Sequence, residues 1–360
     1  MSTSTLPLTS NAGFRVAVTI PKVPLGHRPW LDGFRGLAIL SVMAYHAGLL
    51  SRGHAGVDLF FVVSGFLITT LLCQEERYTG SISLTRFYAR RALRLFPALS
   101  VMLCASLLLM IVFPEVGRNY RSILYSAFYA TNWVIAFGWD QVSSTLYITW
   151  SLAIEEQFYL IWPILLSALL KYRKSPRIVI TGLTLLLIAV CILRLILIAH
   201  GASEGRIGQA SDTRSDGLIA GCLAGALVAF GRIPSIRIIR FAMASMALFF
   251  AAYMLGLIAT FGVGLTIINL FFASVIVLLL VDPPSGFLAI LENPLLIWVG
   301  KLSYSIYLWH LFARFAADKC IKHPALQLII STVLAFILAA ASHYLIERPF
   351  LKLKQRFSSF

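Results

Sequence analysis

Long apolar segments are the feature of this sequence that most constrains its fold. Each is predominantly apolar over about 17–24 residues, the length that an α-helix needs to cross a hydrocarbon core of about 30 Å. Only 12% of the residues are charged and 59% are hydrophobic, which excludes a soluble domain of this length. The sequence therefore predicts an all-α, polytopic integral membrane protein with about ten transmembrane helices. The predicted spans are 34–50, 56–73, 94–113, 147–170, 178–199, 213–231, 241–257, 262–281, 294–316 and 325–346.

The distribution of Lys and Arg predicts the orientation of these helices. Basic residues collect in cytoplasmic loops, and ten spans place most of the 30 basic residues on one side, with both termini cytoplasmic. The segment 121–137 is aromatic and only moderately apolar, and counting it as a span would move the basic cluster at 171–177 to the outside. We therefore predict that 121–137 is an interfacial or re-entrant part of an outer loop.

The same pattern predicts a single membrane domain over residues 31–350, between cytoplasmic tails at 1–30 and 351–360. A net charge of +15 would suit a nucleic-acid-binding protein, but the basic residues lie between apolar segments rather than on one face. Topology signalling is the better interpretation, and we expect no nucleic-acid partner. The five cysteines lack the spacing of metal ligands, so we predict neither a metal site nor a disulfide framework.

The first span carries two ionisable residues, Arg35 and His46. They are eleven residues apart, which on a helix is within about 20° of three full turns and about 16 Å along the axis. Both side chains therefore share a face, with Arg35 at the inner edge and His46 in the outer half. Ionisable groups inside spans are functional candidates because burying them in lipid is unfavourable. The alternatives are that Arg35 reaches to the interface and that His46 packs against a neighbouring helix.

Further polar residues fall in other predicted spans. Asp58 opens the second span, Glu155 and Glu156 lie inside the fourth, and Arg214 and Asp216 begin the sixth. A structural hydrogen-bond network would explain any one of these, and it is the favoured interpretation for Arg214 and Asp216.

The ninth span adds Ser303, Tyr307 and His310, which fall at i, i+4 and i+7 and form one polar stripe. So many polar groups converging at similar depth favour an enclosed polar cavity over separate structural contacts.

A basic run, RFYARRALRLFP, leads into the third span. On a helix, Arg90 and Arg91 each share a face with Arg94. A positive-inside anchor would account for two or three of these arginines. Four of them within nine residues, counting Arg86, also suit a phosphate-rich ligand, because guanidinium groups bind phosphate in a bidentate manner. Spacing alone leaves both interpretations open.

Seven motifs containing these residues resemble the acyltransferase-3 family of membrane O-acyltransferases, which includes O-antigen, exopolysaccharide and Nod-factor acetylases. They follow in order from about residue 31 to 350: LDGFRGLAILSVMAYH, GVDLFFVVSGFLIT, FYARRALRLFP, WSLAIEEQFYLIWP, TRSDGLIAG, GKLSYSIYLWH and IERPF. The family pattern of Arg, ten residues, then His matches Arg35 and His46, and its cytoplasmic Arg-x-x-Arg matches Arg91 and Arg94. The resemblance also implies ten spans. Because the sequence ends soon after Phe350, we expect it to lack the esterase-like domain fused to some members.

The resemblance implies an activity: transfer of an acyl group, expected to be acetyl, from acyl-coenzyme A to a carbohydrate hydroxyl. Exopolysaccharide, lipopolysaccharide O-antigen or a lipo-oligosaccharide would be the acceptor, so the expected partners are a carbohydrate or glycolipid and membrane lipid. Acyl-coenzyme A would be a donor substrate, and no tightly bound cofactor is expected. The location implied is the plasma membrane, the inner membrane of a bacterium.

Residue roles follow as hypotheses. Arg91 and Arg94 would bind the nucleotide phosphates, and Arg35 would line the path of the pantetheine arm. His46 would be the general base or a transient acyl carrier.

Seven further side chains have hypothetical roles at the same site. Asp58 or Glu155 would orient His46, and Arg214 and Asp216 would position substrate. Ser303, Tyr307 and His310 would hydrogen-bond the acceptor or the developing oxyanion.

Two alternative classes of function would not involve a catalysed reaction. A transporter or flippase for a polar or glycolipid substrate would also need a polar cavity near the bilayer midplane. A structural membrane scaffold would give no reason for charges within the spans. The arginine-rich inner segment and the ordered motifs favour the enzyme.

Overall fold

The computed structural model describes residues 26, 28–113, 119–173, 175–258 and 262–354. Every regular element in these ranges is a helix, which confirms the all-α prediction. Most of the two predicted tails lies outside the described residues. The elements are α1 (Pro29–His46), α2 (Ala55–Thr79), α3 (Leu84–Val112), α4 (Arg121–Ala127), α5 (Thr131–Phe137), α6 (Thr149–Arg173), α7 (Pro176–Ala199), α8 (Glu204–Gln209), α9 (Ser211–Arg214), α10 (Asp216–Ala229), α11 (Ile236–Met254), α12 (Val263–Val281), α13 (Ser285–Leu291), α14 (Pro294–Lys301), α15 (Ser303–Cys320), α16 (Pro324–Ala341), a π-helical segment (Ser342–Glu347) and α17 (Arg348–Lys354).

Within the described ranges, seven helical stretches are long and apolar enough to cross a membrane. They are formed by α2, α3, α6, α7, α11, α12 and the continuous stretch Pro324–Leu353. This confirms a multi-pass membrane protein. The other three predicted spans correspond to α1, to the 14-residue α10 and to α14 with α15. Charged residues lower the apolar character of α1 and α15, so the count of ten remains a prediction.

The segment 121–137 forms two short helices rather than one. α4 and α5 have seven residues each, and Tyr129 between them adopts a positive φ of 53°. A seven-residue helix is only about 10 Å long, so neither helix can cross the hydrocarbon core. The side-chain amide of Gln157, on α6, donates to the Tyr129 carbonyl oxygen at 2.7 Å and so ties this segment to the bundle.

The predicted topology can be tested with two introduced thiols. Ser144 is exposed in the connection between α5 and α6, and Ser175 is partly exposed between α6 and α7. In a background in which the exposed Cys104 and Cys320 are alanine, Ser144→Cys should react with an impermeant maleimide in intact cells. Ser175→Cys should react only after the membrane is permeabilised. The reverse pattern would overturn the orientation on which inner and outer are assigned.

Close contact between α2 and α10 builds the centre of the molecule. A Cβ atom on Gly65 would lie 2.0 Å from the Leu218 carbonyl oxygen, and one on Gly221 would lie 2.1 Å from the Val62 carbonyl oxygen. Only glycine permits this approach of two helix backbones, as at many interfaces between membrane helices. α1 packs against α2 and α14, and α15 packs against α1 and α16. α1 therefore lies against the central pair of helices, α2 and α10, and α15 lies against α1.

Candidate active site

A first cavity of about 220 Å³, here called the inner cavity, lies between α2, α3, α6 and α15 and also reaches Arg35 on α1. Eight of the residues singled out from the sequence line it, as do several other polar groups. The structure therefore contains a polar cavity, although His46, Asp58 and His310, which were predicted to converge there, do not line it. Its charged and hydroxyl-bearing lining residues are Arg35, Ser64, Glu75, Arg90, Arg91, Arg94, Ser151, Glu155, Glu156, Tyr159, Tyr129, Ser303, Tyr304 and Tyr307.

The four arginines of the inner cavity differ in their partners. Arg91 donates to Glu156, and its guanidinium carbon lies 3.3 Å from the centroid of the Tyr159 ring. Arg90 pairs with Glu75 at 3.3 Å.

Arg35 and Arg94 make no hydrogen bond or ion pair with any residue that the structure describes. Two cationic groups of the lining are thus available to an anionic ligand.

Glu155 is held in the lining by two hydroxyl groups. The Ser64 hydroxyl donates to its Oε1 at 2.5 Å and the Tyr159 hydroxyl donates to the same oxygen at 2.7 Å. Tyr159 lies four residues after Glu155 on α6, so both side chains project from one helix face. The i, i+4 spacing from Glu155 is a sequence signal for Tyr159, which was not among the predicted site residues. Neither histidine of the predicted site hydrogen-bonds Glu155 within the described chain.

Ser303 and Tyr307 line the inner cavity from α15. The Tyr307 hydroxyl donates to the Ile148 carbonyl oxygen at 2.9 Å and lies 2.6 Å from the Ser151 hydroxyl. The Ser303 hydroxyl is fully buried and has no hydrogen-bond partner among the described residues. Leaving a buried hydroxyl unpaired is unfavourable, and a polar ligand group in the cavity would satisfy it.

A second cavity of about 320 Å³, here called the outer cavity, lies between α1, α15 and α16. Its lining includes His46 and His310, whose rings meet with the His310 Nε2 atom 3.0 Å from the His46 Nδ1 atom. The two linings share no residue.

The hydrogen-bond network assigns the protons of this histidine pair. The His310 Nδ1 atom lies 2.8 Å from the Tyr307 carbonyl oxygen, which can only accept, so Nδ1 carries the hydrogen. In the neutral pair, His310 Nε2 then accepts from the Nδ1–H group of His46. The unprotonated nitrogen of His46 is therefore Nε2. His310, and neither Asp58 nor Glu155, is the side chain within hydrogen-bond distance of His46.

The wall between the cavities is formed by α1 and α15. On α15, Tyr307 lines the inner cavity and His310, three residues later, lines the outer one, with ring centroids 5.8 Å apart. On α1, Arg35 lines the inner cavity and His46 lines the outer one. The predicted separation of Arg35 and His46 along one helix face thus corresponds to two cavities rather than one.

The remaining predicted charges lie outside both linings. Asp58 pairs with Arg214 at 2.9 Å. Asp216 pairs with Arg194 at 2.7 Å and accepts from the Thr266 hydroxyl at 2.9 Å. The charged side chains of both pairs are at most 5% exposed. Arg194, which lies alone within the apolar span 178–199, was overlooked in the sequence although an intramembrane arginine is itself a signal.

These buried pairs should matter for stability far more than an exposed one. Asp216→Asn leaves the Arg194 charge buried without its counter-charge, which should lower the free energy of unfolding by about 3–5 kcal/mol. The matched control is Asp282→Asn, which breaks the exposed Arg240–Asp282 pair and should change it by about 0–1 kcal/mol. Thermal unfolding of the purified variants in detergent measures both. Equal losses would mean that the buried pair does not stabilise the bundle.

No group of three or more His, Cys, Asp or Glu side chains in the described ranges is arranged to hold a metal ion. Catalysis without a metal ion remains a prediction.

Comparison with known proteins gives a family and several relatives. The acyltransferase domain family Acyl_transf_3 matches residues 28–348. The peptidoglycan O-acetyltransferase OatA of Listeria monocytogenes is 33% identical over 350 residues, covering 90% of this chain and 56% of the relative. The O-acetyltransferase OatA of Staphylococcus aureus is also 33% identical, over 90% of this chain and 57% of the relative. A putative peptidoglycan O-acetyltransferase of Bacillus subtilis, YrhL, is 31% identical over 89% of this chain and 54% of its own length.

The chain thus spans about half the length of the curated relatives that it matches. No solved structure matches it significantly.

Proposed function

This chain belongs to the acyltransferase-3 family, and we propose that it transfers an acetyl group from acyl-coenzyme A to a hydroxyl group of a cell-envelope glycan. The donor would bind at the inner cavity and the acceptor at the outer one. The observation that carries the proposal is the pair of cavities meeting at one wall, with arginines on one side and paired histidines on the other.

The relatives support both the acyl group and the class of acceptor. Their names describe O-acetyltransferases, and those from Listeria and Bacillus name peptidoglycan. Peptidoglycan, exopolysaccharide, O-antigen and lipo-oligosaccharides all present sugar hydroxyls, so the same chemistry would serve each of them. We place the protein in the plasma membrane with its arginine-lined cavity toward the cytoplasm, where acyl-coenzyme A is made.

Donor binding would use Arg35 and Arg94, the two arginines of the inner cavity without a partner among the described residues. Arg94 would form bidentate contacts with donor phosphates, and Arg35, on α1, would line the path of the pantetheine arm. Arg91, already bonded to Glu156, would add positive charge to the same site. The unpaired Ser303 hydroxyl would donate to an amide oxygen of the arm.

His46 would perform the proton transfer. Its unprotonated Nε2 atom would take the proton of the acceptor hydroxyl while the hydroxyl oxygen attacks the acetyl carbonyl carbon. A C–O bond forms, the C–S bond of the thioester breaks, and the departing thiolate takes the proton from the imidazolium. His310 would hold the His46 ring in this orientation. For the thioester to reach His46, the Tyr307 side chain between the cavities has to move aside.

A covalent variant would use the same nitrogen. Nε2 of His46 attacks the thioester carbonyl, a C–N bond forms as the C–S bond breaks, and the acceptor hydroxyl then displaces the imidazole. Incubation with labelled donor and no acceptor separates the two routes, because only the covalent route leaves acid-labile label on the protein.

The experiment that tests the proposal uses purified protein, acetyl-coenzyme A labelled in the acetyl group, and a panel of peptidoglycan, O-antigen and exopolysaccharide fragments. We expect label in at least one saccharide, released as acetate by mild base. A transporter or flippase would instead move a saccharide across vesicle membranes without acetylating it, and that result would overturn the proposal.

A further inference from the structure

The outer cavity is a groove whose polarity changes along its length. It lies between α1 and α16, with α15 as its floor and the histidine pair near its middle. Along α15, Arg314 and Asp318 follow His310 by about 6 Å and about 12 Å toward the outer end. There Gln327 of α16 donates to Asp318. This outer half of the groove therefore offers charged and amide groups.

The inner half of the groove is apolar. Leu40 precedes His46 by about 9 Å on α1, and Met43 and Ala44 lie between them. Ala335 lines the same half from α16 and is 1% exposed. Ser331 and Thr332 lie between the two halves. The groove thus changes from polar to apolar in the direction that leads from the membrane surface toward the bilayer centre.

The open side of the groove faces lipid. Leu40 is 38% exposed although it lines the groove. α16 belongs to a stretch that is long and apolar enough to cross a membrane, and its surface away from the groove carries Ile329 and Val333 at 58% and 53% exposure, so this part of the chain lies at the depth of the hydrocarbon. An apolar ligand segment can therefore reach the exposed side chain of Leu40 from the lipid.

From this polarity we infer that the acceptor is a lipid-linked saccharide that enters the groove sideways, with its sugar at His46 and its hydrocarbon anchor along Leu40 and Met43. The inference rests on the proposed acetyl transfer and specifies its acceptor. A water-soluble glycan strand would use the polar outer half but would leave the apolar inner half empty. Leu49, Pro324 and Leu328 in the outer half suit the C–H faces of a sugar ring.

The first test compares methyl and dodecyl glycosides of the same saccharide as acceptors, with the protein in detergent-free nanodiscs. Burial of only two methylene groups in the groove is enough to lower the acceptor KM by about tenfold. We therefore expect at least that preference for the dodecyl glycoside.

Two matched leucine variants separate groove binding from simple partitioning into the nanodisc. Leu40 and Leu37 are three residues apart on α1 and are 38% and 36% exposed, but only Leu40 lines the groove. Leu40→Trp should abolish the preference for the dodecyl glycoside, measured as the ratio of the KM values of the two glycosides. Leu37→Trp should keep the preference. Equal KM values for the two glycosides, or a preference that both variants retain, would overturn the inference.

A binding readout keeps this result distinct from a failure of the proposed function. In the background without Cys104 and Cys320, the thiol of Ser331→Cys lies in the groove and should be protected from maleimide by the dodecyl glycoside but not by the methyl glycoside. Protection without any acetyl transfer would support the glycolipid site and overturn the enzyme. Transfer without preferential protection would support the enzyme and overturn the glycolipid site.

Discussion

Replacing His46 by alanine should lower acetyl transfer by about 10²–10⁴-fold, the usual contribution of a positioned general base. The donor should still bind, because His46 lines only the outer cavity and the arginines line the inner one. The protein should still fold, since a small residue is well tolerated in a membrane helix. Labelled-acetyl transfer and donor binding, measured on the same preparation, check both halves of the prediction. Transfer by the wild type should also decline on acidification, because a protonated imidazole cannot accept the hydroxyl proton.

Two other histidines serve as controls for this prediction. His310→Ala removes the partner of His46 Nδ1 but leaves the proton-accepting Nε2 atom of His46 in place. This variant should therefore lower turnover less than His46→Ala does. His54 hydrogen-bonds the Tyr253 hydroxyl and lines neither cavity, so His54→Ala should transfer acetyl at nearly the wild-type rate. If His46→Ala kept near-normal transfer while His310→Ala abolished it, the two histidines would have exchanged roles.

The loss of both unpaired arginines should abolish donor binding at ordinary concentrations. A hydrogen bond to a charged group contributes about 1.5–3 kcal/mol, so the double variant Arg35→Ala, Arg94→Ala should weaken donor affinity by about 10²–10⁴-fold. Arg94→Lys should bind the donor more tightly than Arg94→Ala but more weakly than the wild type, because an ammonium group cannot reproduce the planar contact of a guanidinium. Equilibrium binding of acetyl-coenzyme A to the purified variants measures the effect.

The same basic run supplies a matched control. Arg86 is exposed, lies eight residues before Arg94 on the same helix and does not line the inner cavity. Arg86→Ala should leave donor affinity unchanged. Were it to weaken binding as much as the double variant does, the arginines would act through the general charge of the inner surface and not through the cavity. Arg91 is unsuitable for this test because its removal would leave Glu156 without its partner.

Periodicity along single helices could be predicted from the sequence with good fidelity. The shared face of Arg35 and His46, and the stripe of Ser303, Tyr307 and His310, follow from the geometry of one helix, and all five residues line one of the two cavities. The failure of 121–137 to form one spanning helix was likewise evident from its composition.

Contacts between helices could not be predicted in the same way. Asp58 and Arg214 lie on different helices, more than 150 residues apart in sequence, and only tertiary packing brings them together. The separation of the polar residues into two cavities likewise depends on how α1 and α15 pack between them. One polar cavity and two adjacent ones have the same signature in a linear sequence, since both need polar residues at similar depth.

In the proposed mechanism, donor and acceptor reach the wall between the two cavities from opposite faces of the membrane. Sealed vesicles containing the purified protein test this directly, with an impermeant acceptor saccharide outside and labelled acetyl-coenzyme A either inside or outside. A mixed orientation of the protein does not confuse the result, because each molecule needs its two substrates on different sides. We expect labelled saccharide when the donor is inside and none when both substrates are outside. Equal transfer in the two arrangements would rule out access from opposite faces, because both substrates would then have reached His46 from the same face.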